Sequence, residues 1–249
     1  MATATLALAA CADLAPTAPD APRLARTGGT ALQVNTLADH DDGACTTQDC
    51  TLREAIRLAP AGGTITFKSL RGTIALDPTA TPATLVIDKG LTIQGPGAGG
   101  LTVAMQRQAG RVFRIGAGDV TISGLTITGG AALGAFLEGE GGGIYSDAAN
   151  LTLRDLRISG NTAERGGGLA ILGGNLLTER STVSGNTASS GGGLYLASRG
   201  PTTIVLRQST VRDNQAAVDG AGILHGEGAL ALEQSTLSGN VAGAFGGAL

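Results

Sequence analysis

Acids and bases recur at one phase of a repeated text. Arg154, Glu179, Arg207 and Glu233 each stand seven residues before an asparagine: Asn161, Asn186, Asn214 and Asn240. Glycoside hydrolysis needs two carboxyl groups across the scissile bond, one of them protonated as general acid. A uronic-acid lyase instead needs carboxylates converging on Ca²⁺ and a free Arg or Lys base. If successive units stack at the ~4.8 Å strand spacing, Glu179 and Glu233 lie about 9.6 Å apart. That is the wide limit of the ~6.5–9.5 Å range for inverting enzymes. Arg207 falls between them and keeps both ionised, and Asp155 aligns with Arg180 one unit on. The outward charges therefore read as a self-neutralised ladder with no catalytic residue. Glu179, Arg207 and Glu233 are the set to test if turnover exists.

Other groups invite binding chemistry. Tyr145 and Tyr195 follow glycine clusters two units apart, a spacing suited to stacking on alternate sugars of a glycan. Asp39, Asp41 and Asp42, with Gly43 behind them, form an acidic turn of the oxygen-rich kind that holds Ca²⁺. The acidic residue that an EF-hand carries at its twelfth position is missing, so the expectation is an exposed turn with no bound metal. The segment 131–140, with Phe136, Glu138 and Glu140, lengthens one connection, and insertions in repeats collect on one face. Asp219, His225 and Glu227 flank another cluster as a second candidate patch. The chain shows no Ser–His–Asp spacing, no metal-ligand cluster and no phosphate loop, since its glycines precede aliphatic strands and not helices.

These residues are positioned by the repeat itself. The four asparagines recur at intervals of 25, 28 and 26, each closing a short β-branched run (LRISGN, TVSGNT, TVRDNQ, TLSGNV). GGGI at 141–144, GGGL at 166–169 and 191–194, GAGI at 220–223 and GGAL at 246–249 follow the same rhythm. Short runs, turn glycines and a period in the solenoid range predict an all-β, single-stranded right-handed parallel β-helix. Ile158, Val183, Val211 and Leu237 fall three residues before each Asn, and Leu151, Leu176, Ile204 and Leu230 ten before, as interior columns. The asparagines themselves read as a structural amide ladder. A flat threonine face (Thr182, Thr210, Thr236) of the ice-binding kind is interrupted by Arg157 and Arg212.

Composition agrees. Glycine at 41 residues and aromatics at 2% suit tight coils, and the net charge of −3 comes with interspersed signs. No basic run suggests nucleic acid, and no apolar segment approaches the ~20 residues of a membrane span. Residues 1–29 read as a secretory segment and a Pro/Ala-rich tether, and Leu8-Ala9-Ala10-Cys11 resembles the lipobox of bacterial lipoproteins. That resemblance implies lipidation at Cys11. Cys45 and Cys50, five apart, favour a disulfide over half of a zinc site, because apart from Cys11 no other Cys exists and the two His lie elsewhere. Thr51 and Glu54 fit a capping box opening a short helix that ends before Pro60 and lids the first coil.

The stretch VNTLADHDDGACTTQDCTLREAI (34–56) resembles the CSLREA domain of bacterial exported proteins, with Thr51 where Ser is usual. The following GLTIQGPGAGGLTVAMQ and RVFRIGAGDVTISGLTITGG, and the GGGI/SGN repeats, are similar to the same family. They are similar more loosely to chlamydial polymorphic outer-membrane protein repeats and to the pectate-lyase-like superfamily. The resemblance covers roughly residues 32–249 and implies a cap over 30–61, a β-helix of about seven coils over 62–249, and export to the envelope, surface or medium. The last repeat stops mid-unit, which leads us to expect further coils in a longer parent. The expected role is a non-catalytic adhesion or structural module without cofactor, facing surface glycans or cell-surface proteins. Polysaccharide lyase or glycoside hydrolase chemistry is the alternative the superfamily implies.

Overall fold

The computed structural model describes residues 31–249 apart from 109, 148 and 198–201, and not the side chains of 108 and 136. Residues 1–29, with Cys11, lie outside the described residues. Among those described, every strand pairing is parallel, and the strands stack in ladders of eight, seven, six and five. One coil shows the path. Asn150–Arg154 lies in the eight-strand ladder, Arg157–Ser159 in the seven, Thr162–Arg165 in the five and Leu169–Ile171 in the six. Leu176–Glu179 then stacks on the strand where the coil began. From Gly63 onward the eight-strand ladder is entered at 63, 91, 119, 150, 176, 203 and 229, giving six complete turns and part of a seventh.

The turn chemistry explains the path. Between the first two strands of each coil the chain passes through a left-handed residue: Gly124, Asp155, Arg180, Gln208 and Gln234 have φ of 63°, 52°, 46°, 50° and 49°. A single residue there reverses which face the chain presents, so the alternation of inward and outward side chains restarts in the next strand. The interior columns stack as aliphatic rungs, Leu151 on Leu176 on Ile204 and Ile158 on Val183 on Val211, each at most 2% exposed. Burying such a side chain is worth about 1.5–3 kcal/mol.

Asn161, Asn186 and Asn214 are at most 1% exposed at the next bend. Each donates its amide N–H to the Oδ1 of the asparagine one coil on, at 3.0 Å, ending on Asn240. The same oxygens accept the backbone N–H of the coil before, also at 3.0 Å.

The amino-terminal lid is the helix Leu52–Leu58, with Leu52, Ala55 and Ile56 buried on the core. Thr51 and Glu54 form a reciprocal capping box: Glu54 Oε2 accepts the Thr51 N–H at 2.8 Å, and Thr51 Oγ1 accepts the Glu54 N–H at 3.2 Å. Lys89 Nζ donates to the carbonyls of Arg57 and Ala59 at the helix end, where a cation also meets the negative pole. Arg53 reaches the carbonyls of Pro82 and Ala83, tying helix to coil.

Candidate functional site

The charge ladder is tightly paired. Arg154 Nε donates to Glu179 Oε2 at 2.6 Å, Arg207 donates to Glu179 Oε1 at 3.1 Å, and Arg207 Nε donates to Glu233 Oε2 at 2.6 Å. Burial by itself pushes the Glu179 carboxyl up. The hydrogen bonds and charges of Arg154 and Arg207 together outweigh it and hold the group below its ordinary value. Arg207 is raised, first by its hydrogen bond to Glu233. Asp155 is lowered by the paired hydrogen bonds from Arg180, both 2.8 Å. A general acid must carry its proton at working pH, and Glu179 is displaced away from that. A basic Arg would need to be free, and Arg207 is held at both ends.

A second arrangement lies at the glycine clusters. Gly141, Gly166, Gly191 and Gly220 have φ of 66°, 69°, 67° and 61°. A Cβ on Gly166 would come within 2.1 Å of the Leu169 carbonyl and 3.0 Å of Ala170 Cα. The chain thus folds sharply back, and only glycine permits the approach. The residue before each cluster is thereby set beside the strand that follows it. Glu140, Arg165, Ser190 and Asp219 stack on one side of this corner, and Tyr145, Ala170, Tyr195 and Leu224 on the other. Arg165 bridges the corner: it pairs with Glu140 Oε1 at 2.6 Å, and its guanidinium lies 5.4 Å from the Tyr195 ring centre. Ser189 donates to Glu164 at 2.9 Å. Gly134, Glu164, Arg165, Ser189 and Ser190 line a shallow pocket of about 310 Å³ here.

The two tyrosines are not equivalent stacking platforms. Tyr145 is only 2% exposed, and the Arg111 guanidinium covers its ring at 4.8 Å. Its hydroxyl donates to Asp147 at 3.3 Å, and its pKa is pushed up to about 12, by burial first and then by the charge of Asp147. Arg111 also donates to the carbonyls of Leu137 and Glu138, clasping the 131–140 insertion over this end. Tyr195, half-buried, is the ring nearer solvent. Of the insertion acids, Glu140 is buried against Arg165 and Glu138 is exposed. Asp219 Oδ1 and His225 Nε2 are buried without hydrogen-bond partners. No hydrogen bond or ion pair links Asp219, His225 and Glu227 among the described residues.

The acidic turn of the cap is also divided. Arg53 grips both oxygens of Asp39 at 2.8 Å, and Arg57 Nε lies 2.8 Å from Asp41 Oδ2. Asp42 turns the other way, toward His40 and Glu54. Asp39, Asp41 and Asp42 therefore do not converge as one calcium shell. Cys45 and Cys50 are joined as a disulfide beside them.

Arg165 escaped the sequence reading, although its signal was present: the residue before each glycine cluster forms its own column. Arg111 carried none, because it acts on a ring more than a coil away. No helix among the described residues is long and apolar enough to cross a membrane. No curated protein matches the chain. The family described as right handed beta helix region matches residues 89–247, more than half of the chain and all of the coils that build the glycine corner. Parallel ladders, stacked asparagines and this match agree: the chain belongs to the right-handed β-helix family.

Proposed function

We propose that this chain is a non-catalytic adhesion or structural module, exported or attached at a bacterial surface, and that it holds surface glycans along the glycine corner. The carrying observation is the pairing of Glu179 between Arg154 and Arg207, which leaves the most regular charged face without a proton donor or a free base. The corner supports binding. Arg165, Ser189, Ser190 and Glu164 offer hydrogen-bonding groups around a shallow pocket beside the Tyr195 ring, and sugars are held by such mixtures of polar groups and aromatic faces. Export rests on the lipobox-like Leu8–Cys11, the CSLREA-like cap and the Cys45–Cys50 pair, a bridge typical of oxidising compartments.

The rival reading, a polysaccharide lyase or hydrolase, draws on acids that share the corner. Glu140 and Asp219 are three rungs apart, about 14 Å at the ~4.8 Å spacing, beyond the ~6.5–9.5 Å of a hydrolytic pair. Retention of the purified chain on a glycan array, lost at least about tenfold in Arg165→Ala and Tyr195→Ala, supports the groove. Unchanged retention in both variants removes it. Labelling by a radioactive fatty acid in a bacterial host, absent in Cys11→Ser, tests the anchor.

A further inference from the structure

Beneath the acidic turn, three side chains aim at one point on the cap. A ring nitrogen of His40, a carboxylate oxygen of Asp42 and one of Glu54 all lie within 4.8 Å of one another. His40 Nε2 is 3.8 Å from Glu54 Oε1 and 3.1 Å from Asp49 Oδ2. Donors placed ~2.1 Å from a tetrahedral metal lie roughly 3.4 Å apart, so the 3.8 Å between His40 and Glu54 must close by a few tenths of an ångström, and the set as a whole, within 4.8 Å, by up to about 1.4 Å. The burial is graded: Glu54 has no exposed side-chain surface, His40 is 41% exposed and Asp42 faces solvent. The site thus has a closed floor and an open mouth, the entry path a metal requires.

The electrostatics call for a cation. Glu54 is a wholly buried carboxylate next to a second carboxylate, and the basic side chain nearest it is His40, at 3.8 Å. The two arginines of the helix are turned to other acids, Arg53 to Asp39 and Arg57 to Asp41. Hydrogen bonds fix the donors. Thr51 Oγ1 donates to the His40 carbonyl at 2.8 Å, the Ala44 N–H to Asp42 Oδ1 at 3.0 Å, and the Thr51 N–H to Glu54 Oε2 at 2.8 Å. Glu54 Oε1 accepts the Asp42 N–H at 3.0 Å, and the Glu54 carboxyl also meets the Asp42 side chain. Such outer partners orient ligands in metal sites.

We propose that His40, Asp42 and Glu54 form a binding site for a divalent transition metal of the zinc class, with Asp49 as the nearest fourth donor. An imidazole in the set selects zinc-class ions over calcium, which takes oxygen alone. This separates the site from an all-aspartate calcium turn. It also gives the lid a metal tie between the turn at 39–44 and the first turn of the helix, independent of any ligand in the corner.

The test is thermal unfolding and calorimetric titration of the full, oxidised chain with Zn²⁺ alone, in a Cys11→Ser background that removes the one cysteine outside the disulfide. Ca²⁺ serves as comparator and Co²⁺ as spectroscopic probe. The expected result is one zinc per chain, a melting temperature that climbs with Zn²⁺ concentration, and visible Co²⁺ bands. His40→Gln and Asp42→Asn each weaken binding by more than the ~10–100-fold that loss of an outer partner costs. Both residues are outside the helix, so the variants keep the capping box. Absence of a zinc-dependent shift, an equal shift with Ca²⁺, or a shift that survives in both variants overturns the proposal.

Discussion

Replacing Asn186 by alanine removes the centre of the buried ladder, and its cost can be worked from the bonds it makes. Its Oδ1 accepts the backbone N–H and the side-chain amide of Asn161, and its Nδ2 donates to the Ile158 carbonyl and to Asn214 Oδ1, all at 3.0 Å. Asn161 Nδ2 retains the carbonyls of Ile127 and Ser159, and Asn214 Oδ1 retains the Asn186 backbone N–H. The stranded group is therefore the Asn161 N–H, since the register of the ladder gives the Ile158 carbonyl the backbone N–H of Ser184 as well. At about 1–3 kcal/mol for the buried N–H left without a partner, and about 0.5–1.5 kcal/mol for each of the three other bonds lost, the loss is about 2.5–7.5 kcal/mol. Asn240 makes the same kind of bonds with only partial burial, so water replaces its side chain, and Asn240→Ala should cost about 1–2 kcal/mol. Urea unfolding of both variants, with amide exchange at the Asn161 N–H to localise the loss, measures the difference. Equal costs for the two variants, or a cost below about 1 kcal/mol at Asn186, would refute the claim that the amide ladder is a principal support of the coil.

Three further outcomes are expected. Thr178 is 1% exposed, and its hydroxyl has no partner among the described residues, in a column where it stacks between Leu153 and Leu206. Thr178→Val, nearly isosteric, should raise the urea midpoint, a gain of about 1–2 kcal/mol. Arg53→Ala leaves Asp39, 2% exposed, without its ion pair and releases two carbonyls of the first coil. A loss of about 3 kcal/mol, with early amide exchange in the 52–58 helix, is the expected reading. Glu179 has a folded pKa below its unfolded value, so its contribution is complete above the unfolded pKa of ~4.3 and is lost as pH falls through the folded one. The urea midpoint should hold from pH 8 to about 5 and drop below about 4, less steeply in Glu179→Gln.

The coil was legible because its signals are local and repeated. An asparagine every 25–28 residues places Ile158, Val183 and Val211 on one rung line, and the pairing follows that line. A second ladder went unread. The hydroxyls of Ser181, Ser209 and Ser235 each accept the backbone N–H of the coil before, at 3.1 to 3.3 Å. Its residues also recur five before each Asn, but a serine in a polar run looks like any turn serine, and the first coil has Leu156 there. The glycine corner was half read. The clusters marked turns, but that a positive φ sets the residue before them against the strand after them is a matter of three dimensions. Tyr145 looked available because the guanidinium that covers it comes from Arg111, 34 residues earlier. Asp39 and Asp41 looked free because their arginines sit on the helix, 14 and 16 residues on.

The central claim is that the charged face of the coil is a paired support and not an active site. The most direct measurement is a depolymerisation screen of the full chain on uronate-containing and neutral glycans, with and without Ca²⁺. It is read by the absorbance of unsaturated products and by new reducing ends. The account predicts no turnover on any glycan, in the wild type and in Glu179→Gln alike. Turnover in the wild type that disappears in Glu179→Gln or Arg207→Ala would contradict it and make the ladder catalytic.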